Sequence, residues 1–140
     1  MTLKMRYLQL ALVSLAGGAI YPLVYMRQNF ELSMLEALSM TAAELQACYA
    51  LLGTLFVITY VPSGWLADRF QPRHLMAGSL VATGLVGLWF SSFPSQAAVQ
   101  VIFVLWGVTS GLTFWAAMIK AVSLIAPLAA QGRFFGWLEG

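Results

Sequence analysis

The sequence predicts an all-α membrane protein, a polytopic bundle of transmembrane helices, and three observations carry that reading. Of 140 residues 61% are hydrophobic, with a mean hydropathy of +0.83, far above the roughly half apolar content of a water-soluble domain. Seven basic and five acidic residues cannot clothe a water-exposed surface over so much apolar chain. Four apolar runs are each long enough to cross a hydrocarbon core, and their ends carry helix signals. The runs are apolar on every side, whereas barrel strands need about ten residues of strict alternation. In lipid each backbone group must be bonded within its own segment, which leaves helices.

The first run, Tyr7 to Met26, has 20 residues, which at about 1.5 Å per residue matches the roughly 30 Å core of a bilayer. Lys4 and Arg6 followed by the small residues of SLAGGA also resemble a cleavable leader, but the apolar stretch continues through Tyr21 to Met26, too far for a leader's core. It reads as a retained span. The second run, Leu45 to Leu66, is opened by TAAE, Thr41 to Glu44, a capping box in which the threonine accepts from the amide three residues on and the glutamate reaches back. The third spans Leu75 to Ser92 and the fourth Ala97 to about Ile119. Pro72 and Pro94 stand just ahead of these two, where a missing amide costs nothing. Pro22 and Pro62 lie inside spans and are expected to kink or unwind them. From Arg133 another apolar segment begins, the expected start of a fifth helix, so the chain reads as a piece of a longer bundle.

Charge sets the orientation. With four spans, Lys4, Arg6, Arg69, Arg73, Lys120 and Arg133 fall on one side and Arg27 alone on the other. Bases concentrate in cytoplasmic loops, so the N-terminus is expected in the cytoplasm. The loop Gln28 to Glu44, with its three glutamates, then faces outward. The net charge of +2 is small and its bases are dispersed, which argues against nucleic acid as a partner. Cys48, the single cysteine, cannot form an internal disulfide and reads as a packed thiol. No metal-ligand spacing, nucleophile with its base, or phosphate loop is present, so neither a catalytic residue nor a cofactor is assigned. His74 reads as a solvated loop residue. An enzyme is excluded as a reading.

Spans associate in lipid through close backbone approach and shared polar groups. Gly107 and Gly111 in GVTSG, Ser79, Thr83 and Gly87 at intervals of four, and Gly53 are spaced for such contacts.

The charge knot GWLADRFQPRH, Gly64 to His74, sits between the second and third spans. A carboxylate at the end of the second helix faces the negative end of the macrodipole and needs compensation; Arg69 and Arg73 can provide it in a plain solvated loop. Gly64, Asp68, Arg69 and Arg73 also resemble the signature loop between the second and third helices of the major facilitator superfamily. Gln71 and Pro72 depart from its usual glycine and base. Asp68, Arg69, Pro72, Arg73 and Leu75, with MRQNF from Met26 to Phe30, are similar to the organophosphate:phosphate antiporter branch. The resemblance covers the chain as the first four of twelve helices. It implies a secondary transporter in the cell (inner) membrane that works by alternating access, with Asp68 meeting a helix of the absent half to close the cytoplasmic side.

In the resembling antiporters an arginine at the position of Arg27 binds the substrate phosphate, and a second base stands where this chain has Tyr60. One planar guanidinium suits a carboxylate, sulfonate or sugar acid as well as a phosphate, so the expected solute is a small organic anion. The plain alternative is an Arg27 that snorkels to headgroups or pairs with Glu31 one turn on. Tyr21, Tyr60, Trp106 and Thr109 are the other substrate-binding candidates, with Gln9, Tyr25, Thr113 and Trp115 behind them. Aromatic residues at span ends also form interfacial belts. Lys120 reads as a snorkelling or topological base. The expected partners are the solute, the bilayer and further transporter helices. A four-helix multidrug exporter needs an acid in its first helix, which Tyr7 to Met26 lacks; a membrane subunit that only packs with other helices is the remaining alternative.

Overall fold

Thr2, in an extended conformation, turns the chain into α1, Leu3–Val24. The structure, a computed structural model, describes residues 2–140. After a break at Tyr25 and Met26 the chain resumes as α2, Arg27–Leu38. There follow α3, Ala42–Arg69, α4, Pro72–Phe90, and α5, Gln96–Trp106. A π-helical segment, Gly107–Leu112, joins α5 to α6, Trp115–Ile125. A short turn of 3-10 helix leads to α7, Gln131–Glu139. No strand occurs among the described residues. This is an all-α membrane helix bundle.

Three helical stretches, Leu3–Leu38, Ala42–Arg69 and Gln96–Ile125, are long and apolar enough to cross a membrane. The expected third span corresponds to α4, whose 19 residues begin with Pro72, Arg73 and His74, so its polar start trims the apolar length. Along the stretches Leu3–Leu38 and Ala42–Arg69 only 17% and 22% of the spanning window is buried, against 50% for Gln96–Ile125. The fourth apolar run is therefore the centre of the bundle, and large side chains such as Leu15, Val57, Val81 and Leu88 point outward. In water such a surface would aggregate; in lipid it is the solvated face.

Several boundaries differ from expectation. The predicted outer loop Gln28 to Glu44 is mostly helix, kinked at Phe30, whose backbone leaves the helical region at φ −131° and ψ 27°; Ser39, left-handed at φ 52°, ends it, with Met40 N–H donating to the Leu35 carbonyl at 3.1 Å. The Thr41–Glu44 capping box is formed, at 3.3 and 2.8 Å, and Pro72 opens α4. Pro22 lies within α1 and the break comes three residues later. Pro62 does not interrupt α3 at all. Hydroxyls take up carbonyls in the turns around it: Thr59 Oγ1 donates to Leu55 O at 2.7 Å and Ser63 Oγ to Tyr60 O at 2.8 Å.

The core is built where the small residues admit neighbours. A Cβ on Gly107 would fall 2.8 Å from Leu55, and one on Gly111 2.7 Å from Phe56 and Thr59. Gly87 leaves similar room for Leu23, but Gly53 has nothing within 4 Å, so its expected packing role is not realised. Trp106, Phe103 and Phe114 are fully buried. Phe103 and Phe90 pack against the Trp106 ring at 5.3 and 5.2 Å.

Candidate functional site

The charge knot forms one end of the bundle. Ala67, Asp68 and Arg69 are the last turn of α3, Phe70 and Gln71 are extended, and Pro72 starts α4. The α3 carbonyls at this turn have no helical partner, and a cation from another span reaches them: Lys120 Nζ, on α6, donates to Ala67 O at 2.6 Å and lies 3.5 Å from Asp68 Oδ1. Lys120 thus caps α3 and compensates the carboxylate that the macrodipole disfavours. Neither expected local partner, Arg69 nor Arg73, pairs with Asp68 among the described residues. Arg69 lies over the Trp65 ring at 4.4 Å, and Arg73 borders a groove with Gln9 and Met76. Arg6 donates to Ile125 O at 2.7 Å and Tyr7 stacks on Phe134 at 5.4 Å, so Arg6, Asp68, Lys120 and the start of α7 share one end of the bundle.

Sequence reasoning missed Lys120 as a member of this site. The available signal was its place at the tail of an apolar run, where an ammonium must find acceptors within protein or reach the interface; the acceptors themselves are 53 residues away in the chain and no spacing rule announces them.

Between α3 and α6 runs an open cavity of about 640 Å³. Phe56, Tyr60 and Gly64 line one wall and Gly111, Trp115 and Ile119 the other, with Asp68 and Lys120 among its polar lining. Tyr60 is 78% exposed. Gly64 has no atom within 4 Å of where a Cβ would stand. Tyr21 reaches Trp115 edge-on at 6.5 Å and stacks with Tyr25 at 4.4 Å.

Arg27 stands at the opposite end, at the break between α1 and α2. The Arg27 guanidinium bridges to Glu31 at 3.2 Å and lies 5.7 Å from the Tyr49 ring centre, while the Arg27 backbone N–H donates to Tyr49 Oη at 3.0 Å. The i, i+4 pairing expected as the plain alternative is present, with Arg27 still 31% exposed in its side chain. Trp106 and Thr109 lie elsewhere. Trp106 is wholly enclosed and donates from Nε1 to Thr83 O at 3.3 Å; Thr109, within the π segment, is tied to α4 by Ser79 and Thr83. Among the described residues no cluster of His, Cys, Asp or Glu has the grouping of a metal site.

A charged turn between two apolar helices, clamped from a third, is an arrangement many membrane proteins share; the deciding observation is a match along almost the whole chain. The sequence model of the Major Facilitator Superfamily matches residues 7–140. The chain belongs to the major facilitator superfamily. Within it the chain is similar to the inner membrane protein YqcE of Escherichia coli, 31% identical over 135 residues, and to the inner membrane protein YihN of the same organism, 29% identical over 139 residues. These alignments cover 96% and 99% of this chain but 32% and 33% of the relatives. The chain thus spans about a third of the length of the curated relatives it matches. No solved structure matches it.

Proposed function

We propose that these helices are the N-terminal part of a secondary transporter of the major facilitator superfamily that moves a small organic anion across a cell's inner membrane by alternating access. Four spans, α1 with α2, then α3, α4, and α5 through α6, cross the bilayer with the N-terminus and the Asp68 end in the cytoplasm. The observation that carries the reading is the Lys120 clamp on Ala67 and Asp68 beside an open cavity. An 82% exposed Asp68 side chain is held by one cation and remains available to a second partner across the cavity. Gly64, Asp68, Arg69 and Arg73 form the gating loop: it closes when Asp68 finds that partner and opens when it does not. Arg27, partly exposed at the other end, supplies the guanidinium for the anion, with Tyr21 and Tyr60 on the route; its Glu31 contact is the one the solute displaces. The similarity to two proteins called inner membrane proteins supports the location. The test is uptake of radiolabelled organic phosphates, carboxylates and sulfonates into liposomes holding the protein at its full encoded length. An anion gradient driving counterflow supports the reading; absence of flux for every anion, with the protein folded and inserted, overturns it.

A further inference from the structure

Thr109, a substrate-binding candidate by sequence, is tied into the bundle by hydrogen bonds of its own. The backbone from Gly107 to Leu112 is π-helical, and each π turn accommodates an extra residue. An extra residue advances the phase of everything after it by about 100° around the axis. The phase of α6 decides where Lys120 points. With the π segment in place it meets Ala67 O and Asp68; without it the same side chain would be turned about a quarter of the circumference away.

A π segment loosens the ordinary helix ladder, which is costly in the dry interior of a bundle. Here hydroxyls bond the carbonyls involved. Ser110 and Thr109 donate to Trp106 O, Thr113 Oγ1 donates to Thr109 O at 2.6 Å, and Ser79 on α4 also donates to Thr109 O. Thr83 Oγ1, also on α4, donates to Thr109 Oγ1 at 2.8 Å. Thr109 is therefore the residue where the π segment is fastened to a neighbouring helix through both its backbone and its side chain. The two glycines that bracket it leave no room for a Cβ against α3, so the segment has a fitted seat on two sides.

We propose that Thr109 is a positioning residue that fixes the π segment and thereby the rotational phase of α6 that brings Lys120 to Ala67 and Asp68. Release of the Thr109 bonds lets the segment relax toward α-helix and swings Lys120 off the charged turn, so the fastening biases the clamp toward its closed form. The inference rests on the transport reading only for what the clamp does; the geometry of α6 is tested without transport.

The experiment uses the protein at full encoded length, with spin labels at Phe70 and Leu124, both exposed; Cys48 is fully buried and is left in place. Electron-spin distance measurements compare the parent with Thr109→Val, which keeps the shape and loses the hydroxyl, and Thr109→Ser, which keeps it. Each membrane hydrogen bond lost is expected to shift the equilibrium by about threefold. Thr109→Val should therefore show a second distance population about three- to eightfold enriched, and Thr109→Ser should restore the parent distribution. Ser79→Ala, which removes one of the two α4 donors to Thr109, should reproduce the valine effect if the valine protein folds poorly. An unchanged distribution in both Thr109→Val and Ser79→Ala overturns the proposal, as does an equal disturbance by valine and serine, which would mean packing alone. If the distances shift as expected while no anion moves in any variant, the fastening stands and the transport reading falls.

Discussion

A lysine that satisfies two acceptors at once carries more than its charge. Because Lys120 Nζ bonds the Ala67 carbonyl as well as Asp68, Lys120→Met should disturb the charged turn more than Asp68→Asn does, whereas Lys120→Gln, which still donates, should be the milder change. The ion pair itself is exposed on the Asp68 side and its coupling in a double-mutant cycle should be below about 1 kcal/mol. Asp68→Asn should nevertheless slow flux about tenfold without lowering expression, through loss of a charge-assisted contact of about 1.5 kcal/mol in one state of the cycle; unaltered flux kinetics would remove Asp68 from the gate. Arg27→Lys exchanges a planar fork for a point donor, and the apparent affinity for an anionic solute should fall about tenfold. Equal affinity in the lysine and parent proteins would leave Arg27 as an anchor for Glu31. The positions of Asp68 and Arg27 were legible in the sequence because charge is so rare there. Lys120 was not, because its acceptors are supplied by a different helix.

At the scale of elements, small residues do not all act alike. Gly111→Val would drive a side chain into Phe56 and Thr59, 2.7 Å from the new Cβ, and should destabilise the bundle by about 1 to 3 kcal/mol. Gly53→Ala meets nothing and should be neutral or stabilise α3 by up to about 1 kcal/mol. Thermal melting of helical circular dichroism in detergent ranks the two, and a Gly53→Ala protein as unstable as Gly111→Val would mean that the approach of α3 to the π segment is not what the glycines serve. Both glycines look the same in an apolar sequence; only the neighbouring helix tells them apart. Proline shows the same limit. Pro62 sits in an uninterrupted helix, and the first helix breaks at Tyr25 and Met26 instead. The capping box and Pro72 were read correctly because each is settled by residues within one turn. Phe93, at φ 52°, holds the turn between α4 and α5 in a conformation costly for a large side chain, so Phe93→Gly should stabilise the protein by about 1 kcal/mol in the same melt.

For the whole molecule, the bases have a common address. Arg6, Lys120 and the turn carrying Arg69 and Arg73 meet at one end of the bundle, and Arg27 lies at the other. A membrane-impermeant maleimide should therefore label Leu32→Cys in intact cells and Gln71→Cys only after the membrane is opened; the reverse pattern would invert the proposed topology. The sequence by itself determined that the chain is helical, that lipid is its solvent and that it belongs with the superfamily, since apolar length, loop charge and a local motif are properties of consecutive residues. Only the tertiary structure decided which polar groups meet, that the fourth apolar run is the buried centre, and that its helix shifts register through a π segment before reaching Lys120. Those outcomes depend on a hydroxyl or carbonyl finding a partner on another helix, and a partner many residues away leaves no periodic trace in the chain.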